Sequence, residues 1–119
     1  MPNVAIVGAS RVASKFGNRA VRAYLRQGWT VYPVNPSESE VEGLKTFASV
    51  ADIPGPVDRA SMYVPPSVGI GLLESIRDKR IPELFLNPGS ESDELIARAE
   101  TLGLNPIQAC SIVDIGERP

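Results

Sequence analysis

The feature that most constrains this chain is the regular alternation of short apolar runs with amphipathic stretches. Val4-Ala5-Ile6-Val7 is a continuous apolar run that ends at Gly8. A run with no polar alternation suits a strand buried on both faces of a parallel sheet. After a loop, Ala20, Val21, Tyr24 and Leu25 fall on one helical face, Arg19, Arg22 and Arg26 lie mostly away from it, and Gly28 stands where a helix ends. Trp29 to Val34 reads as a second strand, and Pro33 within it argues for an edge or a bend. The stretch 36–56 is less regular: Glu42 to Phe47 reads as a short extended piece, and Ser49 to Ile53 as one helical turn stopped by Pro54-Gly55-Pro56. Asp58 to Val64 is a third strand, made less apolar by Arg59 and Ser61. Pro65-Pro66-Ser67 opens the next helix, with Leu72, Leu73 and Ile76 as its buried stripe.

Glu83 to Leu86 is a fourth strand. Ser90 with Asp93 gives a loose capping signal for a helix through Leu102, with Leu95, Ile96, Ala99 and Leu102 facing inward and Gly103 ending it. Asn105 to Ala109 is a fifth, weaker strand, and the tail after Cys110 reads as short and irregular. This alternation predicts an α/β fold: a single Rossmann-like domain over residues 1–119, with about five parallel strands, helices on both faces and right-handed crossovers. The usual strand order puts the first strand centrally.

Bulk properties narrow the function. A chain of 119 residues that is 43% hydrophobic fits one compact domain with a real core. Its formal charge of −2 gives no reason to expect broad affinity for nucleic acid or an anionic membrane. No apolar run is long enough for a membrane span, and the N-terminus has no basic segment leading into an apolar one, so a cytoplasmic protein without a signal peptide is expected. Cys110 is the single cysteine, so no internal disulfide can form. The absence of histidine excludes Ser-His-Asp and Cys-His catalytic pairs and the commonest zinc site, and no metal is expected.

In an open α/β sheet a ligand sits beyond the carboxyl ends of the strands, where loops diverge and helix N-termini point free N–H groups into the gap. After the first strand come Gly8-Ala9-Ser10-Arg11 and then Lys15-Phe16-Gly17-Asn18. Glycines let backbone approach an anion closely, and Arg11, Lys15 and Arg19 bring positive charge, so this loop reads as a diphosphate cradle. The spacing is not G-x-G-x-x-G, and the plainer alternative is a strand-to-helix turn with a solvated basic edge. On the cradle reading, Gly8→Val should block a ligand and leave the fold largely intact. After the second strand, Asn35-Pro36 replaces the acidic residue that usually accepts from a dinucleotide's ribose; a simple turn is the alternative. After the third, Val64 with Pro65 offers a stiff apolar wall for a base, or helix initiation, or both. After the fourth, Asn87, Pro88 and Gly89 would form the crevice floor, and the acidic helix start that follows would repel a phosphate. Cys110 shows no neighbouring positive charge in sequence and reads as packed or inert.

Taken together, Val4-Ala5-Ile6-Val7-Gly8-Ala9-Ser10, Val31-Tyr32-Pro33-Val34-Asn35-Pro36 and Asn87-Pro88-Gly89-Ser90-Glu91 resemble the small bacterial CoA-binding domain proteins, stand-alone relatives of the N-terminal domain of the succinyl-CoA synthetase alpha subunit. The resemblance runs in order over roughly residues 3 to 113. It implies a Rossmann-like fold holding the phospho-ADP part of coenzyme A at the strand carboxyl ends. It further implies that Gly8, Ser10 and Lys15 contact phosphate, that Asn35 and Pro36 lie near the ribose phosphate, and that Val64 and Pro65 lie beside the adenine. Asn87 stands where the family usually has glutamine or a glutamate-like residue before Pro-Gly, a mild departure. The segment Arg59 to Tyr63 is closer to the synthetase type. The full synthetases use a phosphohistidine, and this chain has no histidine to carry one.

Three functions follow as expectations. The first is a non-catalytic nucleotide-binding module for coenzyme A or an acyl-CoA, with a small molecule as partner and pairing of two copies compatible with so small a unit. The second is an NAD(H)-binding, redox-sensing module, against which the missing fingerprint and the neutral Asn35 count. The third is an enzyme acting on a CoA thioester through Cys110 or Asp114, for which no partner base is visible.

Overall fold

The computed structural model describes residues 2–119. Five parallel strands form one sheet: β1 (Asn3–Val7), β2 (Thr30–Val34), β5 (Arg59–Met62), β6 (Glu83–Leu86) and β7 (Pro106–Gln108), in the order β2-β1-β5-β6-β7. The fold is therefore the expected single Rossmann-like α/β domain. The first strand is interior but not central, because a single strand, β2, lies on one side of it and three lie on the other. The position of a strand in a sheet depends on which way each crossover turns, and no local pattern records that.

The strand side chains alternate between two cores. Val4 and Ile6 of β1 face one way, onto Ala20, Val21 and Tyr24 of α1 (Phe16–Arg26) and Ile112 of α5 (Ser111–Asp114). Ala5 and Val7 face the other way. There they join Ala60, Met62, Leu84 and Leu86, under Leu73 and Ile76 of α3 (Leu73–Asp78) and Leu95 and Ala99 of α4 (Asp93–Thr101). Both faces of the sheet are thus covered, which is why the strands read as near-continuous apolar runs. Leu25 is an exception to its predicted face and lies exposed on α1.

Pro33 sits on β2, an edge strand, as its missing N–H requires. Phe47 partly covers that edge, donating its N–H to Pro33 O at 2.9 Å and accepting from Asn35 N at 2.9 Å. The piece expected to be extended from Glu42 to Phe47 is instead a small hairpin, β3 (Glu40–Val41) against β4 (Leu44–Lys45). Its turn residues, Glu42 and Gly43, both have positive φ, 50° and 77°, the geometry that joins tightly twisted antiparallel strands. Residues 50–52 form a single 3-10 turn capped by the Ser49 hydroxyl, close to expectation. The third helix region opens at Pro66 as α2 (Pro66–Gly69) and reaches α3 through a 3-10 turn. Ser92 rather than Ser90 caps α4, accepting from Leu95 N at 3.0 Å; Ser90 is buried and donates to Met62 O.

The tail is not irregular. Residues 111–114 form α5, which lies on the sheet face beside Tyr24 and is held by Arg59. Arg59 is 8% exposed and reaches Asp114 at 2.8 Å and Glu83 at 3.1 Å, with its guanidinium 4.3 Å from the Phe85 ring centroid and 5.1 Å from that of Trp29. Burial works against its charge, but hydrogen bonds with Glu83, Tyr24 and Asp114 outweigh burial and raise its pKa above the ordinary value.

One glycine contact sets the geometry of the first crossover. An ideal Cβ on Gly17 would lie 2.2 Å from Gly8 O, so the start of α1 meets the end of β1 backbone to backbone. Gly17→Ala should therefore cost about 3 kcal/mol or more, in the upper range for overpacking. Gly71 has open space around its Cβ direction, and Gly71→Ala should be neutral or stabilise by up to about 1 kcal/mol. Urea midpoints of the two variants check this ranking; equal midpoints would overturn the contact.

Candidate functional site

The connections leaving β1 and β5 run in opposite directions, one to β2 and the other to β6, so the loops after them part. The gap is a crevice of about 720 Å³ at the carboxyl ends of the strands. Gly8, Ala9 and Ser10 line it from the first loop, and Lys15, Phe16 and Gly17 from the start of α1. Asn35, Val64, Pro65, Asn87, Pro88 and Gly89, also expected from sequence, line it as well. A second lobe of about 370 Å³, largely apolar, shares Gly8, Asn35 and Val64 with the first and adds Pro36, Val50, Val68 and Leu72. Arg11 lines neither lobe; it is well exposed and pairs loosely with Glu38 at 3.6 Å.

The first loop is shaped from below. Asn18 is fully buried; its amide donates to Ser10 O at 2.9 Å and to Glu42 at 3.1 Å, and accepts from Arg22 Nε at 2.7 Å. Arg22 also donates to Ala13 O at 2.7 Å. From the other side Asn35 donates to Ala9 O at 2.8 Å and accepts from the N–H groups of Ser37 and Glu38. Gly8 N and Ala9 N donate to Val34 O at 3.0 and 3.3 Å, so these two amides face β2 and not the crevice. The anion-facing donors are instead at the start of α1. The N–H groups of Phe16 and Gly17 have no acceptor among the described residues, and Lys15, the residue that precedes the helix, is exposed and forms no ion pair there. Gly8 itself has φ +92°, and a Cβ on it would stand 3.0 Å from Val64 and 3.1 Å from the Tyr63 backbone. The expectation that Gly8→Val spares the fold is therefore wrong: the substitution strains the backbone and collides with β5's exit.

Asn87 occupies the floor, but its side chain is already engaged. Its amide donates to Ser61 Oγ at 2.9 Å and Met62 O at 2.8 Å and accepts from Ser111 N at 2.9 Å. Ser61 and Ser111 share a 2.5 Å hydrogen bond, and Tyr63 OH lies 3.3 Å from Ser111 Oγ. This network fastens α5 across the end of the sheet and builds the far wall. Sequence reading missed that wall: Tyr63, Ser90, Cys110, Val113 and Pro119 also line the crevice. Tyr63 was within reach, standing one residue before Val64 at the strand exit. So was Ser90, which directly follows Gly89; Cys110, Val113 and Pro119 depend on the tail folding back, for which no local signal exists. Cys110 is half-buried and lines the crevice, so it is not packed away. Asp114 is committed to Arg59. Among the described residues no cluster could hold a metal ion, and no helix is long and apolar enough to cross a membrane.

A family described as a CoA binding domain matches residues 2–116. The chain belongs to the CoA-binding domain family. An ADP-forming acetate–CoA ligase II of Archaeoglobus fulgidus is 38% identical over 94 residues, 77% of this chain but 14% of the ligase. A conserved hypothetical protein of Pyrococcus furiosus superposes with a TM-score of 0.87 at 34% identity, covering 96% of this chain and 99% of that one. The dinucleotide-forming acetyl-coenzyme A synthetase 1 of Ca. Korarchaeum cryptofilum, solved with phosphate and ADP, gives a TM-score of 0.78 at 31% identity over 90% of this chain and 25% of its own. This CoA-binding domain thus spans a small part of the ligases it matches and nearly the full length of the P. furiosus protein.

Burial is the main influence on the Tyr63 phenol and raises its pKa to about 12, against the opposing hydrogen bonds from Ser111 and Ser61. The folded state therefore holds the neutral phenol more tightly than the unfolded chain, whose phenol titrates near the ordinary 10. The stability this contributes is full below pH 10 and lost as pH rises towards 12. Ultraviolet titration of phenolate should show a late component that Tyr63→Phe removes; a Tyr63→Phe curve identical to wild type would refute the assignment.

Proposed function

We propose that residues 1–119 form one binding unit that holds coenzyme A or an acyl-CoA in the two-lobed crevice and performs no chemistry of its own. The observation that carries this reading is the pairing, at one crevice mouth, of an open helix N-terminus and the unpaired Lys15 with an adjoining apolar lobe. An anionic diphosphate favours the first, since free N–H groups and the macrodipole there present partial positive charge. A flat adenine favours the second, where Val64, Val50 and Val68 offer apolar surface and Pro36 brings no N–H donor. Ser10 and Asn35 act mainly through the loop: the Ser10 hydroxyl accepts from Val12 N, and the Asn35 amide latches Ala9. The pantetheine arm would then run over Asn87, Pro88 and Gly89 towards Cys110 and Val113. Membership of the CoA-binding family favours this ligand over NAD(H).

A thermal-shift panel with coenzyme A, acetyl-CoA, 3′-dephospho-CoA, NAD⁺, NADH, NADP⁺ and ADP tests the reading. Coenzyme A at ~100 times its Kd should stabilise by about 2.7 kcal/mol, a rise of roughly ten degrees or more for a domain of this size. Lys15→Ala should weaken binding about tenfold and flatten its salt dependence, while Arg11→Ala should change it much less. A shift with NADH and none with coenzyme A would sink the proposal.

A further inference from the structure

The outer face of α1 carries a charged feature that the crevice does not use. Arg19, Arg22 and Arg26 recur there at helical spacing, and Arg118, Pro119 and Ala13 close with them around a pocket of about 300 Å³. Four arginines thus line one pocket in a chain whose net charge is −2. Their placement runs against helix electrostatics. Like charges three and four residues apart repel. Arg19 also lies near the N-terminal end of α1, where the macrodipole disfavours cations, and no acidic residue sits in its first turn. One carboxylate answers them: Glu117 accepts from Gln27 and from Arg26, bonds that lower its pKa. Among the described residues, Arg19, Arg22 and Arg118 pair with no carboxylate. Two of the arginines are held in place: Arg22 bonds Asn18 and Ala13 O, and Arg19 lies 5.3 Å from the Phe16 ring centroid. Fixed, like-charged and unneutralised groups around a concavity are a feature that a bound anion would relieve.

We propose that this arginine pocket is a second anion site, separate from the crevice, that takes a compact oligophosphate group such as a diphosphate or triphosphate. Its volume is at the lower end for small-molecule sites. Four arginines against Glu117 leave an excess of positive charge, which an oligophosphate meets within that space. Planar guanidinium forks match phosphate oxygens in pairs. An extended polyanion such as nucleic acid would need basic surface beyond this one helix face, and the acidic balance of the chain does not provide it.

Calorimetric titration with inorganic triphosphate at constant ionic strength, with and without saturating coenzyme A, tests the site. One equivalent should bind in both conditions. The double variant Arg26→Gln/Arg118→Gln should lose affinity for triphosphate roughly tenfold or more and keep the coenzyme A thermal shift. Glu117→Gln should bind triphosphate several-fold more tightly, which a merely structural role for these residues would not produce. Displacement of triphosphate by coenzyme A would place the anion in the Lys15 cradle and overturn the proposal, as would wild-type affinity in the double variant. Citrate binding as tightly as triphosphate would overturn the phosphate assignment. Should coenzyme A fail to bind at all, the comparison of wild type with the double variant still decides this site.

Discussion

The backbone contact between Gly8 and Gly17 is the constraint on which the rest of the crevice depends. With no Cβ at Gly17, α1 begins directly against the carbonyl of Gly8, and its open N–H groups are carried to the edge of the gap between β1 and β5. Any larger residue would push the helix start away by more than an ångström, and the donors at Phe16 and Gly17 would move with it. The loop between them cannot then wander, because Asn18 and Arg22 hold it from beneath and Asn35 from the side. A crevice defined by one close approach and three side-chain latches is largely formed before a ligand arrives, which lowers the ordering cost of binding.

The opposite wall depends on a different set of forces. Arg59 is drawn into the fold by two rings and two carboxylates, and Asp114 follows it. That fixes α5 on the sheet face. The buried Ser61, Asn87 and Ser111 network then sets where the turn before it, with Cys110, crosses the strand ends. The polar groups in this network satisfy one another, so a polar floor is tolerated beneath an otherwise apolar crevice. Removal of one member would leave buried donors without acceptors, and both the wall and the sheet end would feel it.

How much of this could be read from the residues follows the range of the forces involved. The main strands and α1 are legible because continuous apolar runs and helical spacing are local consequences of burial on two faces. The loops after β1, β2, β5 and β6 are legible as site segments because Gly, Asn and Pro stand at strand exits. The hairpin at Glu40 to Lys45 is hidden because strands of two residues have no period to detect. The helix of the tail is hidden because its anchor is Arg59, 55 residues away. Ser90 and Ser92 offer the same hydroxyl two positions apart, and only the burial of Ser90 against Met62 decides which of them caps. Arg11 has the right charge in the right loop, yet Glu38 draws it outward, a pairing across two loops that spacing cannot show.

Apart from Lys15, the polar groups left to face the crevice are mostly backbone, because the polar side chains of its loops are spent on holding those loops. Asn18, Asn35 and Asn87 each have their amide engaged on both sides, and the Ser10 hydroxyl accepts from its own loop. That leaves the helix N–H groups, the Lys15 charge and apolar surface as the means of recognition. Such a set is strict about an anion at one point, since charge and free donors coincide there. It is lenient about what lies further along, where only shape and apolar contact act. A crevice built in this way fits a ligand with a constant phosphorylated end and a variable far end. An acyl-bearing cofactor has that form, and changes at Val113, Pro88 or Cys110 could tune the far end without disturbing the latches that hold the near one.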